Sequence, residues 1–248
     1  MDSFAHFILT RFNVPLQFDL PPGRQPKHMG IDEGWLGRRF DLFERVCLGS
    51  VQRQTEGAFQ WLVFMDWATP LPFKERMAAL TVRNEFLHPV YCSQFNEEFA
   101  LEEICRRERP GGLRLTTLLE VNTAIHPRTV ARLQEWVRTC RGFEDSAGQF
   151  LRIPLGSVAR GGAYYLAYSH ASPFTSYVSA SACRHTVLDA SDGEPGSRPA
   201  ASIRSWRPLW CQVASAEESG LKCRLWFWPG GGGGFAGIDT EAGRADPG

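Results

Sequence analysis

Apolar positions along the first 140 residues fall into short runs that alternate with longer, periodic stretches. "HFILTRF", His6 to Phe12, is a continuous apolar run closed by Asn13-Val14-Pro15 and reads as a buried strand. Residues 19–31 are rich in Pro and Gly and read as a loop. From Asp32 to about Gln54 the period lengthens: Leu36, Phe40, Phe43 and Cys47 recur at steps of four, three and four, with Trp35, Leu42 and Val46 widening the stripe. This is the signature of an amphipathic helix, and Asp32 and Glu33 suit its positive end. "FQWLVFMD", Phe59 to Asp66, is a second strand that ends on an acid, and "PLPFKERMAALTV" is a second helix with Pro70 or Pro72 in its first turn. "FLHPVYCS" is a third strand, which Pro89 assigns to an edge or a strand start. "NEEFALEEICRRE" is a third helix. "RLTTLLEVNTAIH" is a fourth strand, and Pro127 opens a fourth helix with Val130, Leu133 and Val137 on its buried side.

Strands alternating with helices predict βαβ units. The expected fold class is therefore α/β, a mostly parallel central sheet flanked by helices. After Phe150 the pattern changes. "QFLRIPLGSVARGGAYYLAYS" predicts two strands around a Gly-containing turn, a small antiparallel addition, and "RPLWCQVAS" predicts one more strand. "DGEPGSRPAAS" reads as a loop, and the glycine-rich stretch after Pro229 as a disordered tail, 229–248. The remainder, 1–228, is expected to form one domain, with a first half (about 1–140) and a second half (141–228).

Composition narrows the function. Lys+Arg and Asp+Glu are both 27, so no basic stripe argues for a nucleic-acid partner. Seven cysteines include no C-x-x-C pair, which disfavours a zinc site and fits reduced, mostly buried thiols in a cytoplasmic protein. The N-terminus does not read as a signal peptide, and no apolar run reaches the length of a membrane-spanning helix. No G-x-G-x-x-G follows the first strand, and neither a P-loop nor a G-x-S-x-G elbow occurs.

In an open parallel sheet, ligands bind at the carboxyl ends of the strands. The polar residues expected there are Thr10, Arg11 and Asn13, then Asp66, then Glu120 and Asn122. An acid-rich mouth of this kind could take a nucleotide through Asp66, and through Glu120 a divalent cation that bridges phosphates. Each also has a plainer explanation. Glu120 would serve as a solvated strand-end acid, Asp66 as a turn acid, Arg11 as a surface cation, and His126 as a helix cap.

The segments "HFILTRFNVP", "WLGRRFDLFERVCLGSVQRQT" and "FQWLVFMDWATPLPFKERM" resemble the rhamnosyltransferase family, glycosyltransferases of GT-A type; "SPFTSYV" and "PLWCQV" are similar to its acceptor-side segments. The resemblance implies a GT-A-like fold and transfer of a deoxyhexose such as rhamnose from a nucleotide-diphosphate sugar to a glycan or lipid-linked acceptor, with peripheral membrane contact. It further implies donor contacts at Thr10, Arg11, Asp66 and Thr117, and a magnesium or manganese ion at Glu120 and Asn122.

The family's acidic motif, roughly T-T-R-L-D-N-D-D-A-L-H, reads "TTLLEVNTAIH" here, so Glu120, Asn122 and Thr123 replace three aspartates and Leu118 an arginine. Ser179 stands for a glutamate, and Ala214-Ser215-Ala216 for a histidine and glycines. These departures imply weaker cation binding and support the alternative of an inactive relative that binds a nucleotide sugar or glycan. For a general base, Asp189, Glu217 and Glu218 remain equally open.

Overall fold

A computed structural model of the chain describes residues 4–14, 31–108, 111–139, 148–168, 174–190, 200–214, 224–227 and 235. Two sheets organise it. The larger holds seven strands in the order β10-β6-β9-β4-β1-β2-β3. Its centre is β1 (Phe4–Arg11), flanked in parallel by β2 (Gln60–Asp66) and β4 (Leu113–Leu118), with β3 (Leu87–Cys92) parallel to β2 at the edge. Pro89 thus lies on an edge strand, where a missing N–H is tolerated. Beyond β4 a single strand runs the other way: β9 (Thr175–Ala180) is antiparallel to both β4 and β6 (Gln149–Arg152), and β10 (Ala200–Ser202) runs parallel to β6. The expected parallel order holds from β3 through β4, but the sheet as a whole is mixed.

Helices cover both faces because each strand buries both of its alternating sets. Ile8, Trp61, Val63 and Leu115 pack on one face with Leu36 and Phe40 of α1 (Glu33–Leu42), Met77 of α3 (Leu71–Arg83), and Val130, Leu133 and Val137 of α5 (Thr129–Thr139). Phe7, Leu9, Leu62 and Phe64 pack on the other with Ala100 and Ile104 of α4 (Glu97–Cys105). Asp32 and Asn96 cap α1 and α4 by accepting the N–H of Trp35 and Phe99 at 2.7 and 2.8 Å.

The first helix is not uniform. After α1 the backbone widens to a π-helix over Phe43–Leu48 and returns to α geometry in α2 (Gly49–Val51). The wide apolar stripe explains this. Phe43 and Cys47 pack against the large sheet, while Val46 packs into a separate cluster with Ala124, Ala159, Cys211 and Val213 of the second sheet. The extra residue per turn lets one helix face two directions.

That second sheet has the order β12-β8-β7-β11-β5. The hairpin of β7 (Leu155–Arg160) and β8 (Ala163–Tyr168) turns on Gly161-Gly162, both at positive φ (57° and 80°), which a two-residue hairpin loop requires. β11 (Trp210–Val213) runs parallel to β7 and antiparallel to β5 (Thr123–Ile125), and β12 (Arg224–Phe227) closes the edge against β8.

Three sequence expectations change. The fourth strand is two strands: β4 belongs to the large sheet, and β5, only three residues long, belongs to the second. The antiparallel addition is a five-stranded mixed sheet that recruits β5 from the first half. The loop over 192–202 ends in a strand, β10. Of the tail 229–248 only Phe235 is described; it is fully buried, against Val46 and Ala124 and edge-on to His126 at 6.2 Å, while the rest lies outside the described residues. Five cysteines are described: Cys47, Cys92 and Cys211 are buried as expected, Cys183 is half-buried and Cys105 is exposed. No helix among the described residues is long and apolar enough to cross a membrane.

Candidate active site

Because β1, β2, β3 and β4 run parallel, their carboxyl ends share one edge. Strand alternation gives Arg11 the face of Phe7 and Leu9, and Asp66 the face of Leu62 and Phe64, which is the same face of the sheet. Glu120 follows β4 in the turn that leads to β5. Arg11 and Glu120 meet there: Arg11 Nη2 lies 3.2 Å from Glu120 Oε1, with side chains 19% and 30% exposed. The turn itself is closed by Thr123 N–H donating to the Glu120 carbonyl at 3.0 Å.

Asp66 sits in a built turn. Ala68 N–H donates to its Oδ1 at 2.7 Å, and Thr69 donates to its carbonyl from both N–H and Oγ1, at 3.1 and 2.6 Å. Asn13, just beyond β1, ties this turn to its own strand. Its Oδ1 accepts the Asp66 N–H at 3.1 Å and its Nδ2 donates to Thr69 Oγ1 at 2.8 Å. Asn13 thus links the Asp66 turn to the strand whose end carries Arg11. Trp67, next in sequence, is 65% exposed, with Tyr91 at its edge and the Lys74 ammonium 5.2 Å from its ring centre.

Sequence reasoning missed Arg39 of α1. Its Nη2 donates to the Arg11 carbonyl at 3.0 Å and its Nε to the Phe12 carbonyl, while the guanidinium packs over the Phe12 and Trp35 rings. The signal was available. Arg39 is a charge directly beside Phe40 on the buried stripe, where only a side chain with a specific partner belongs.

The other nominated residues lie deeper. Thr10 is fully buried; its hydroxyl donates to the Leu119 carbonyl at 2.6 Å and accepts from Trp61 Nε1 at 2.9 Å. Thr117 is buried too, its hydroxyl bonded to His6 Nε2 at 2.9 Å and Ser176 Oγ at 2.8 Å, on the face beneath α5. Both hydroxyls are taken up by protein partners below the edge that carries Arg11, Asp66 and Glu120. Asn122 is half-buried, its carbonyl accepting from Val213 N–H at 2.8 Å and its Oδ1 3.4 Å from the Thr123 hydroxyl. Thr123 is buried in β5. His126 fits its expected capping position: Nδ1 accepts the Arg128 N–H at 3.2 Å and the carbonyl accepts the Thr129 N–H that begins α5.

Negative charge at this edge registers on its neighbours. Burial first, then Asp66 and Glu103, push the Cys92 thiol up to about 11. Burial and then Glu120 push the Cys47 thiol well above its ordinary range, against the pull of Arg39. Neither thiol is a nucleophile under these conditions.

The donor set does not fit a divalent cation well. The β4–β5 turn offers one carboxylate, already held by a guanidinium, and one neutral amide. Among the described residues no group of three His, Cys, Asp or Glu side chains is placed to share a metal ion. A dication on Glu120 would stand next to the Arg11 charge and repel it.

Asp189 caps the short 3₁₀ helix Val187–Ala190. Its Oδ2 accepts the Thr186 N–H at 2.6 Å, and its Oδ1 lies 2.9 Å from His185 Nδ1. Glu217 and Glu218 lie outside the described residues.

A family profile described as "Putative rhamnosyl transferase" matches residues 7–151, more than half of the 248 residues and the whole of the edge just described. The chain belongs to that family. The match runs from β1 through β6, so every residue that meets at the carboxyl edge falls inside it. No curated protein matches the chain. Among solved structures, S. aureus TarS 1–349 in complex with UDP has 11% identity and a TM-score of 0.47, over 86% of this chain and 61% of that one. The same protein without that ligand gives 9% and 0.44, over 85% and 60%. Its complex with UDP-GlcNAc gives 12% and 0.37, over 64% and 36%. The chain therefore spans between 36% and 61% of the length of these TarS structures.

Proposed function

We propose that the chain is a GT-A-type glycosyltransferase that binds a nucleotide-diphosphate deoxyhexose, rhamnose being the sugar its family name points to, and passes it to a hydroxyl of a glycan or lipid-linked acceptor. The observation that carries this reading is the meeting of Arg11, Glu120 and the Asn13–Asp66 turn at one edge of parallel strands, inside the stretch matched to the family. Such an edge is where open α/β sheets take nucleotides. In this reading Asp66 meets the nucleoside and Arg11 the diphosphate, while Thr10 and Thr117 hold β1 and β4 in register beneath them.

Binding of a purified-protein panel of dTDP-rhamnose and UDP- and GDP-sugars, followed by calorimetry, tests it. Saturable binding of at least one donor that Asp66→Ala weakens by about tenfold or more supports the reading, the loss expected of a buried charge-assisted contact. A panel in which no donor binds ends it.

A second reading, a binding protein without turnover, is favoured by Ser179. It stands at the position of the family's glutamate and is fully buried in β9, and among the described residues its hydroxyl has no hydrogen-bond partner. Donor binding without release of free nucleoside diphosphate, in the presence of candidate acceptors, would select it.

A further inference from the structure

We infer that the cation which meets the donor's diphosphate is the Arg11 guanidinium rather than a metal ion, and that Glu120 is its resting counter-ion, displaced when the diphosphate arrives. This deepens the donor-binding reading above and rests on it.

The edge is built to present one guanidinium. Arg39 takes the carbonyls of Arg11 and Phe12 as acceptors and is itself packed over Phe12 and Trp35, so the backbone that carries Arg11 is fixed from α1. The Arg11 side chain is only 19% exposed, yet it reaches the turn between β4 and β5 and pairs with Glu120 at 3.2 Å. A planar guanidinium matches two phosphate oxygens as well as it matches a carboxylate, and it keeps its charge at any working pH.

A metal at the same place would need what this turn lacks. Hard dications want several oxygen ligands, with one or two carboxylates free to coordinate. Here the turn supplies Glu120, Asn122 is neutral, and Thr123 is buried in β5. To bind the ion, Glu120 would have to give up Arg11, which would leave two positive groups side by side in a half-buried site.

The exchange needs no bond to form or break. A diphosphate oxygen pair replaces the Glu120 carboxylate on Arg11, and Glu120 turns to solvent. Glu120 therefore competes with the ligand. This is the opposite of what a metal ligand does, and it gives the two accounts opposite signs at one residue.

The test uses the full chain and isothermal calorimetry with dTDP, UDP and GDP, first in excess EDTA and then with millimolar Mn²⁺ or Mg²⁺. The expected result is that whichever diphosphate binds does so in EDTA, within about twofold of its affinity with metal. Glu120→Gln should tighten it about two- to fivefold, the range of a part-exposed ion pair, and Arg11→Met should weaken it about tenfold or more. Thermal melts of both variants report folding; if Arg11→Met does not fold, the metal arms and Glu120→Gln still decide. Binding that appears only with metal, or that Glu120→Gln abolishes, overturns this inference and leaves the donor-binding reading standing. No binding of any diphosphate in either condition, with nucleotide sugars also silent, removes the reading itself.

Discussion

Asn13 shows how much one short amide can organise. Being 5% exposed, it uses both ends of its side chain, accepting from Asp66 N–H and donating to Thr69 Oγ1, whose own proton goes to the Asp66 carbonyl. Alanine here leaves a buried N–H and a buried hydroxyl short of a partner. Each orphaned group costs about 1–3 kcal/mol, so Asn13→Ala should lower unfolding free energy by about 2–4 kcal/mol in a urea titration. Because the lost bonds lie at the Asp66 turn, nucleotide-sugar affinity should fall as well. A variant that loses stability but keeps full affinity would show that the turn's order does not matter to the ligand. Arg39→Met probes the other support of the edge. It should weaken binding without touching the ligand, since what it removes is the hold on the carbonyls of Arg11 and Phe12.

The elements that set the edge are joined by one short switch. β4 leaves the large sheet at Leu118 and five residues later β5 has joined the second sheet. Side chains from the end of the first helix and just beyond it hold it there. Ser50 Oγ accepts the Ile125 N–H at 3.1 Å, and Gln54 Nε2 donates to the His126 carbonyl at 3.0 Å while its Oε1 accepts the Val130 N–H at 3.0 Å. The partner strand, β11, packs Trp210 flat against Gly156 of β7, where an added Cβ would fall inside the indole ring. Gly156→Ala must push Trp210 out of its fully buried site and break its Nε1 bond to the Ile153 carbonyl, at 2.8 Å. Overpacking of this kind costs about 1–3 kcal/mol or more, so the variant should show a markedly lower urea midpoint or no soluble protein. An unchanged midpoint would mean that the two strands part freely.

These elements also mark what could be read from the sequence. β1, β2, β3 and the helices after them were legible because their apolar runs and stripes are long and each is bounded by a cap or a proline. The β4–β5 break was not, because "LTTLLEVNTAI" carries no Gly or Pro to mark the change of sheet, and β5's partner lies some 85 positions along the chain. The π segment was hidden for a related reason: the broad stripe through Leu42 and Val46 signals a buried helix but not that it serves two sheets. That Arg11, Asp66 and Glu120 stand at strand ends was visible by position. Arg39 showed only as a charge on the buried stripe, without its partners, and the work of Asn13 did not show at all, since backbone carbonyls and N–H groups as partners leave no trace in residue types. Thr10 was nominated from its strand end and Thr117 from the family resemblance, and alternation places both side chains under the helices.

At the scale of the whole molecule the two sheets share one core. Ile8 and Leu115 of the large sheet belong to the same buried cluster as Val158, Ala167 and Trp210 of the second, which predicts a single cooperative unfolding transition. Its pH dependence should be dominated by one group. His6 is buried at the start of β1, where Gln134 Nε2 lies 3.3 Å from its Nδ1 and also donates to the Ala58 carbonyl. With Nδ1 thus accepting, the proton sits on Nε2 and points to Thr117 Oγ1, which continues to Ser176. The ring is satisfied as the neutral form, and burial lowers its pKa to about 3. In the unfolded chain it titrates near 6.5. Between those values the unfolded state binds a proton that the folded state refuses, so stability is full above about pH 6.5 and falls as pH drops toward 3. The slope approaches about 1.4 kcal/mol per pH unit from this residue alone. Urea titrations of the wild type and His6→Gln at pH 7.5, 5.5 and 4.5 separate this term from the carboxylates, which act in both proteins. Glutamine retains an amide donor for Thr117 and does not ionise, so the variant should be less stable than the wild type at pH 7.5 and the gap should shrink by more than 1 kcal/mol by pH 4.5. A gap that stays constant across that range would place the His6 proton uptake in the folded state and contradict the buried network on which the register of β1 and β4, and hence the spacing of Arg11 and Glu120, depends.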